Sequence, residues 1–161
     1  MQEFCRELCQ VHGVVETTTE IVEIKNEIIL QELFTKVALA TGKVMFEKLS
    51  KGPRQRGDRI IRHTADGDSP DIYGLVLKAL SNLRPDLDKV DYEDLRKEIR
   101  KISVDKVPEA HEISRVLDYM SKIASTDESS TPVLDWQKDD RILHITDPFF
   151  AYYLRWGTIT N

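Results

Sequence analysis

The sequence predicts a mainly α-helical protein that carries one small β-hairpin close to its C-terminus. Apolar residues recur at three- and four-residue intervals along most of the 161-residue chain, which is the spacing of one helical face. Glycine and proline divide this pattern into segments of ordinary helix length. Two short runs, PVLDWQ at 132–137 and RILHIT at 141–146, instead have the composition of strands, and a Lys-Asp-Asp turn joins them.

The composition fits one ordinary hydrophobic core, or two small cores that share an interface, with 40% hydrophobic and 32% charged residues. A net charge of −5 argues against a surface that binds nucleic acid over its whole extent, although local basic patches are compatible with it. No apolar run approaches the roughly 20 residues of a membrane span. Residues 1–12 lack the apolar region of a signal peptide. We therefore expect a soluble, cytoplasmic protein without a membrane partner, in which Cys5 and Cys9 are reduced and partly buried.

The N-terminal third is predicted to consist of helices. Residues 2–12 form the first of them. Thr17 and Glu20 have the spacing of a capping box, which predicts a second helical stretch from Glu20 to about residue 50. Gly42 is the position at which this stretch is expected to break in two. The apolar face of the stretch is wide, so residues 1–50 are interpreted as a segment that is buried against a partner domain or forms a homodimer.

Residues 51–69 are predicted to be a basic linker between two parts of the chain, with a mobile basic loop as the alternative. Glycine and proline interrupt the helical pattern there. Two acidic residues in this stretch, Asp66 and Asp68, are assigned to turn formation and helix capping, because the other ligands of a calcium-binding loop are missing. The cations of the linker are Lys51, Arg54, Arg56, Arg59 and Arg62.

Residues 70–161 have the predicted order helix, helix, helix, hairpin, helix. Pro70 is expected at the first position of the first helix, and Pro85 ends it. Asp91 is the expected N-cap of the second helix, and the third begins at Pro108 or Glu109. Three helices followed by a hairpin is the order of a winged-helix domain, in which the third helix packs across the first two and the hairpin covers the core.

The last helix contains the densest apolar cluster of the chain. Phe149, Tyr153 and Trp156 share one helical stripe, and Phe150 lies in a neighbouring one. One stripe is expected to close the core of the winged helix and the other to pack on the N-terminal helices, which makes this helix a structural clasp. Arg155 is assigned to an ion pair or to stacking on a neighbouring ring. The clasp residues, including the Asp-Pro cap, are Asp147, Pro148, Phe149, Phe150, Tyr153, Arg155 and Trp156.

The segment PVLDWQKDDRILHITDPFFAYYLRWG, residues 132–157, resembles the C-terminal winged-helix region of prokaryotic, archaeal-type P-loop ATPases, which are relatives of the AAA+ and STAND NTPases. The resemblance rests on a line of the form I-x-D-P-F-F-x-x-Y-L-R-W after a two-stranded wing. It implies that residues 1–50 correspond to helices of the ATPase lid. It also implies an ATPase core, or another protein domain, as the partner. The chain is then either a fragment of a larger ATPase or a stand-alone descendant.

The ATPase core itself is missing from this sequence. The nearest string to a Walker A loop, VALATGKV at 37–44, has Val37 in place of the first glycine and Val44 in place of the required hydroxyl residue. It also lies in a helical pattern. No nucleophile with a base partner and no metal-ligand cluster can be assigned, so we expect a non-enzymatic chain without a cofactor or metal.

DNA binding is the alternative function, because the third helix of a winged helix can enter the major groove while the wing reaches the backbone. Acidic residues accompany the cations of the third helix and of the wing, which gives a poor footprint for phosphate. On the second helix, pairs such as Glu93–Lys97 predict an ordinary solvated face. We therefore favour a non-catalytic regulatory or interaction module of a P-loop ATPase. The candidate DNA contacts are Arg96, Arg100, Arg115, Lys122, Lys138 and Arg141.

Overall fold

The computed structural model describes residues 2–17, 19–21, 23–24, 26–54, 59–85, 89–125 and 132–157. These residues form a mostly helical structure with a small three-stranded antiparallel sheet. No helix in the described ranges is both long and apolar enough to cross a bilayer. In chain order the elements are α1 (Gln2–Val11), α2 (Glu27–Thr41), α3 (Lys43–Lys51), α4 (Ile72–Leu83), β1 (Lys89–Asp91), α5 (Tyr92–Ile102), α6 (Ala110–Ala124), β2 (Leu134–Gln137), β3 (Ile142–Ile145) and α7 (Pro148–Trp156).

The second helix starts later than the sequence predicts. It begins at Glu27, and the Asn26 side chain accepts a hydrogen bond from the main-chain N–H of Ile28 at 3.1 Å. The predicted start at Glu20 was wrong, because the β-branched residues that follow it have low helix propensity and Asn26 is a strong cap. The predicted break at Gly42 is confirmed, since α2 ends and α3 begins on either side of it.

The wide apolar face predicted for residues 20–50 is only partly buried. Leu33, Val37 and Leu49 are buried, whereas Ile28 and Val44 are 70% and 80% exposed. A homodimer or an additional partner domain on this face stays a prediction.

Helix α1 rests on α2 through few contacts. The rings of Phe4 and Phe34 stack with centroids 4.6 Å apart, and Lys36 donates to the Glu7 carboxylate. All ten α1 residues are described, and none is buried. Cys5 and Cys9 are exposed free thiols, so the prediction of partial burial was wrong. The reason is that Phe4 and Glu7, which contact α2, lie on a different face of α1 from the two cysteines.

Helix α4 begins two residues after the predicted start. Asp71 accepts from the N–H groups of Tyr73 and Gly74 at 3.0 and 2.9 Å and is the true N-cap, so Pro70 lies outside the helix. The C-terminal end is as predicted, because α4 stops at Leu83 and Arg84 takes a left-handed conformation before Pro85. The predicted Asp91 cap of α5 and the start of α6 beside Glu109 are also confirmed.

The sheet has the order β1-β3-β2. The predicted hairpin is β2 and β3, with Leu134 opposite Ile145. Strand β1, which pairs Val90 with Leu143, was not predicted, because three residues with one buried side chain carry no periodic signal. His144 points away from the buried Leu143 and Ile145, as its position between them predicts.

One buried apolar cluster joins the elements. Helix α4 is its largest single contributor, and α5, α6, the sheet and α7 complete it. Leu49 of α3 belongs to the same cluster and is fully buried. Residues on both sides of the predicted 51–69 linker therefore share a core, and the proposed domain division stays a prediction.

Candidate functional site

Helix α7 contacts both the core and the N-terminal helices. Its cap is as predicted, since the Asp147 carboxylate accepts from the N–H of Phe150 at 2.6 Å and Pro148 occupies the first turn. Phe150 and Leu154 are almost completely buried in the core cluster. The neighbouring stripe points to α2 and α3. Tyr153 packs on Phe46 with ring centroids 5.0 Å apart.

The far end of α7 is held by stacked rings. Trp156 stacks on Phe34 at 4.5 Å, and Phe34 in turn stacks on Phe4. The guanidinium of Arg155 lies 5.7 Å from the centre of the Trp156 ring. Phe149 departs from its predicted burial, because the residue is 54% exposed; its main-chain carbonyl oxygen lies 2.8 Å from where a Cβ of residue 42 would stand.

Two of the six candidate DNA contacts are engaged within the structure. Arg96 and Arg141 both reach the Glu93 carboxylate, at 3.5 and 2.7 Å. Both guanidinium groups also lie over the ring of Tyr92. The predicted Glu93–Lys97 pair is therefore absent among the described residues, and Lys97 pairs with Asp94 at 2.8 Å instead. Two candidate DNA contacts thus form ion pairs within the protein, and one of them, Arg141, links the turn before β3 to α5.

The remaining four candidates are spread over three elements. Arg100 is exposed on α5, and Lys138 is exposed in the turn between β2 and β3, beside two aspartates. Lys122 on α6 lies 5.4 Å from the centre of the Tyr119 ring. Arg115, about two turns before Lys122 on α6, lines a cavity instead. Contacts within the described ranges bring two of the six together, Arg96 and Arg141, on Glu93 and Tyr92.

The cavity that Arg115 lines has a volume of about 570 Å³, and sequence reasoning missed it. It is surrounded by residues 53, 54, 59, 60 and 62, by the start of α4 and by one stripe of α6. The α6 stripe is Glu112, Arg115, Val116 and Tyr119, at the i, i+3, i+4, i+7 spacing of one helical face. This spacing can be read from the sequence. The sequence does not show that the arginines of the linker lie opposite this stripe in the fold.

Two arginines of the predicted linker build the wall of this cavity. Arg59 donates to Asp71 and to the carbonyl of Pro53, both at 2.6 Å, and lies over the Tyr73 ring. These contacts tie the linker to the start of α4. The positive charge of Arg59 is therefore balanced by Asp71 within the protein.

Arg62 fixes the linker to α6. It is 8% exposed and donates to the carbonyl of Lys106 at 2.9 Å and to Glu112 at 3.3 Å. The same Glu112 side chain accepts from the N–H of Glu109 in a capping box at the start of α6. One carboxylate thus organises both the helix start and the wall of the cavity.

Two other arginines that line the cavity are exposed and have no carboxylate partner among the described residues. These two arginines are Arg54 and Arg115. Burial raises the pKa of the Tyr73 hydroxyl, and the charges of Arg59 and Arg115 act against this shift. Asp71 and Glu112 balance the charges of Arg59 and Arg62, so among the described lining residues the positive charges of Arg54 and Arg115 are unbalanced.

A second polar cluster lies beside α4. Lys78 forms ion pairs with Asp66 and Asp68, and the Thr64 hydroxyl donates to Asp66 at 2.6 Å. The hydrogen bonds from Lys78 and Thr64 lower the pKa of Asp66 to about 2. In the described residues no group of three His, Cys, Asp or Glu side chains could hold a metal ion.

The string that resembles part of a Walker A loop is helical backbone. Gly42 has φ −108° and ψ −12° at the junction of α2 and α3 and is packed against Tyr153. The glycine is explained by this contact with α7.

Comparison with known proteins adds no assignment. No family model, no curated protein and no solved structure matches this chain with statistical significance.

Proposed function

We propose that residues 70–157 form a winged-helix domain and that the chain is a non-catalytic interaction module which contacts another protein. The resemblance of residues 132–157 to the C-terminal region of archaeal-type P-loop ATPases suggests that the partner is an ATPase core. Regulation of such a core, through docking or assembly, is the proposed role.

The order of elements supports the winged-helix part of the proposal. From α4 onward it is helix, strand, helix, helix, strand, strand, with the short β1 at the edge of the hairpin sheet. In this arrangement α6 is the third helix, and β2 and β3 form the wing. Helix α7 is an addition that carries the domain onto α2.

The observation that carries the proposed function is the arrangement of charge on α6 and the wing. Arg141 of the wing is engaged by Glu93 and Tyr92, and the cations of α6 are accompanied by Glu112 and Asp118. One stripe of α6 faces the cavity and the linker, and α3 packs against the same helix. A helix with balanced charge and one covered stripe suits protein contact better than insertion into a DNA groove.

Fluorescence anisotropy with a labelled random duplex of about 30 base pairs tests this proposal at about 50 mM salt. We expect no micromolar binding of the salt-sensitive kind, which is present at low salt and lost at about 200 mM salt. The reason is that the chain can neutralise few phosphates. Arg100→Glu and Arg115→Glu variants serve as controls for any weak signal. Micromolar binding that falls steeply with salt and is abolished by these variants would instead establish the DNA-binding alternative.

A further inference from the structure

We infer that the cavity formed by residues 53, 54, 59, 60 and 62, α4 and α6 binds an acidic peptide segment of the partner protein, with carboxylates on Arg54 and Arg115 and an apolar side chain on Ile60 and Tyr119. This inference rests on the proposed interaction function and specifies the chemistry of the partner.

Charge is the first argument. The chain as a whole has a net charge of −5, yet this cavity is lined by four arginines. Asp71 and Glu112 balance Arg59 and Arg62, which leaves Arg54 and Arg115 without an ion pair among the described residues. On an acidic protein, a positive site attracts a carboxylate-bearing partner, whereas the rest of the surface repels it. The partner is therefore directed to this cavity.

Exposed apolar surface is the second argument. Ile60 is 72% exposed and Tyr119 is 39% exposed, and both line the cavity. Val116 and Tyr73, which also line the cavity, are buried and belong to the core cluster. Arginine and tyrosine around an apolar centre are the residues that most often dominate binding energy at protein interfaces.

The main chain supplies the third argument. Ile60 and Ile61 lie outside any helix or strand, and neither forms a main-chain hydrogen bond with a residue in the described ranges. The regular bonding resumes at Arg62, whose N–H donates to the carbonyl of Pro70 at 2.9 Å. A peptide backbone laid along Ile60 and Ile61 would satisfy these groups while its side chains reach the arginines.

The same residues are unsuited to a nucleic-acid backbone. Proteins that bind DNA by its phosphates commonly neutralise about six to ten of them. Here two arginines are uncommitted, and the Glu112 carboxylate lines the same wall. The exposed Ile60 that lines the site gains nothing from a phosphate chain. A peptide with alternating acidic and apolar side chains matches all three features.

The test uses a fluorescein-labelled peptide of about nine residues in which glutamate alternates with valine, titrated with the full chain. We expect saturable binding. Arg115→Glu and Ile60→Ser, both on exposed side chains, should each weaken it about tenfold or more, since a charge-assisted hydrogen bond and a buried aliphatic side chain each contribute on the order of 1.4 kcal/mol. Circular dichroism confirms that each variant is folded.

Arg100→Glu is the matched control, because Arg100 is an exposed arginine on α5 outside the cavity. It should leave the peptide affinity within about twofold, and a peptide with lysine in place of glutamate should not bind. No binding of the glutamate peptide, or an equal loss with Arg100→Glu, would overturn the inference. In either case an absence of duplex binding would leave the proposed interaction function intact, so the two failures can be told apart.

Discussion

Gly42 stands where a methyl group does not fit. A Cβ at this position would lie 2.2 Å from the Cβ of Tyr153 and 2.8 Å from the carbonyl oxygen of Phe149. The backbone φ of −108° is open to any residue, so the requirement for glycine is steric. The sequence alone indicated a helix break here, and the structure adds the close approach of α7.

We predict that Gly42→Ala destabilises the protein by about 1–3 kcal/mol through overpacking against Tyr153. Helix propensity taken alone predicts the opposite sign, a gain of up to about 1 kcal/mol. The free energy of unfolding from urea denaturation decides between them. A variant that is as stable as the parent chain, or more so, would show that α7 does not approach α2 this closely.

The lowered pKa of Asp66 predicts a small loss of stability at acidic pH. Its pKa is lowered from 3.8 to about 2 by hydrogen bonds from Lys78 and Thr64. Because the folded-state pKa is the lower one, this stabilisation is present above about pH 4 and is lost as the pH falls through 2. The Asp66 side chain is 57% exposed, so we expect the contribution to stay below about 1 kcal/mol.

Carboxyl-detected NMR titration measures this pKa directly. Lys78→Met should return the pKa of Asp66 toward 3.8, because it removes the strongest of the hydrogen bonds. An unchanged titration in that variant would mean that Lys78 does not bind the Asp66 carboxylate.

Among the elements, α7 offers a matched pair of aromatic residues. Phe150 is 1% exposed and lies in the core, and Phe149 beside it is 54% exposed. We predict that Phe150→Ala costs about 3–5 kcal/mol, the usual range for a buried phenylalanine. Phe149→Ala should cost about 0.5 kcal/mol or less, as at most exposed positions. Thermal or urea unfolding of the two variants checks the pair, and equal losses would contradict the orientation of the helix.

The same helix shows how far the sequence could reach. Its Asp-Pro cap and its length followed from capping rules, because these depend on neighbours in the chain. The burial of Phe149 was predicted wrongly, since helical spacing gives the stripe but not where the covering helix ends. Strand β1 was missed for a related reason, because its three residues are defined only by pairing with β3.

At the scale of the whole molecule, the structure changes the interpretation of the basic side chains in residues 51–69 most. Composition suggested a linker, but Arg59 and Arg62 are committed to Asp71 and Glu112. Those carboxylates are 12 and 50 positions away along the chain, a separation at which sequence spacing gives no information. These two pairs hold the linker against the start of α4 and against α6, beside the cavity that Arg54 and Arg115 also line.

Amide chemical-shift mapping of the ¹⁵N-labelled chain distinguishes a peptide-binding cavity from a DNA-binding surface, with the glutamate–valine peptide and the duplex added to separate samples in one buffer. We expect the peptide to shift the amides of Arg54, Ile60, Arg115 and Tyr119 and to leave Arg100 and Lys138 unchanged. The duplex should shift none of them. Duplex-induced shifts at Arg100, Arg115 and Lys122, with no response to the peptide, would contradict this expectation and assign α5 and α6 to DNA.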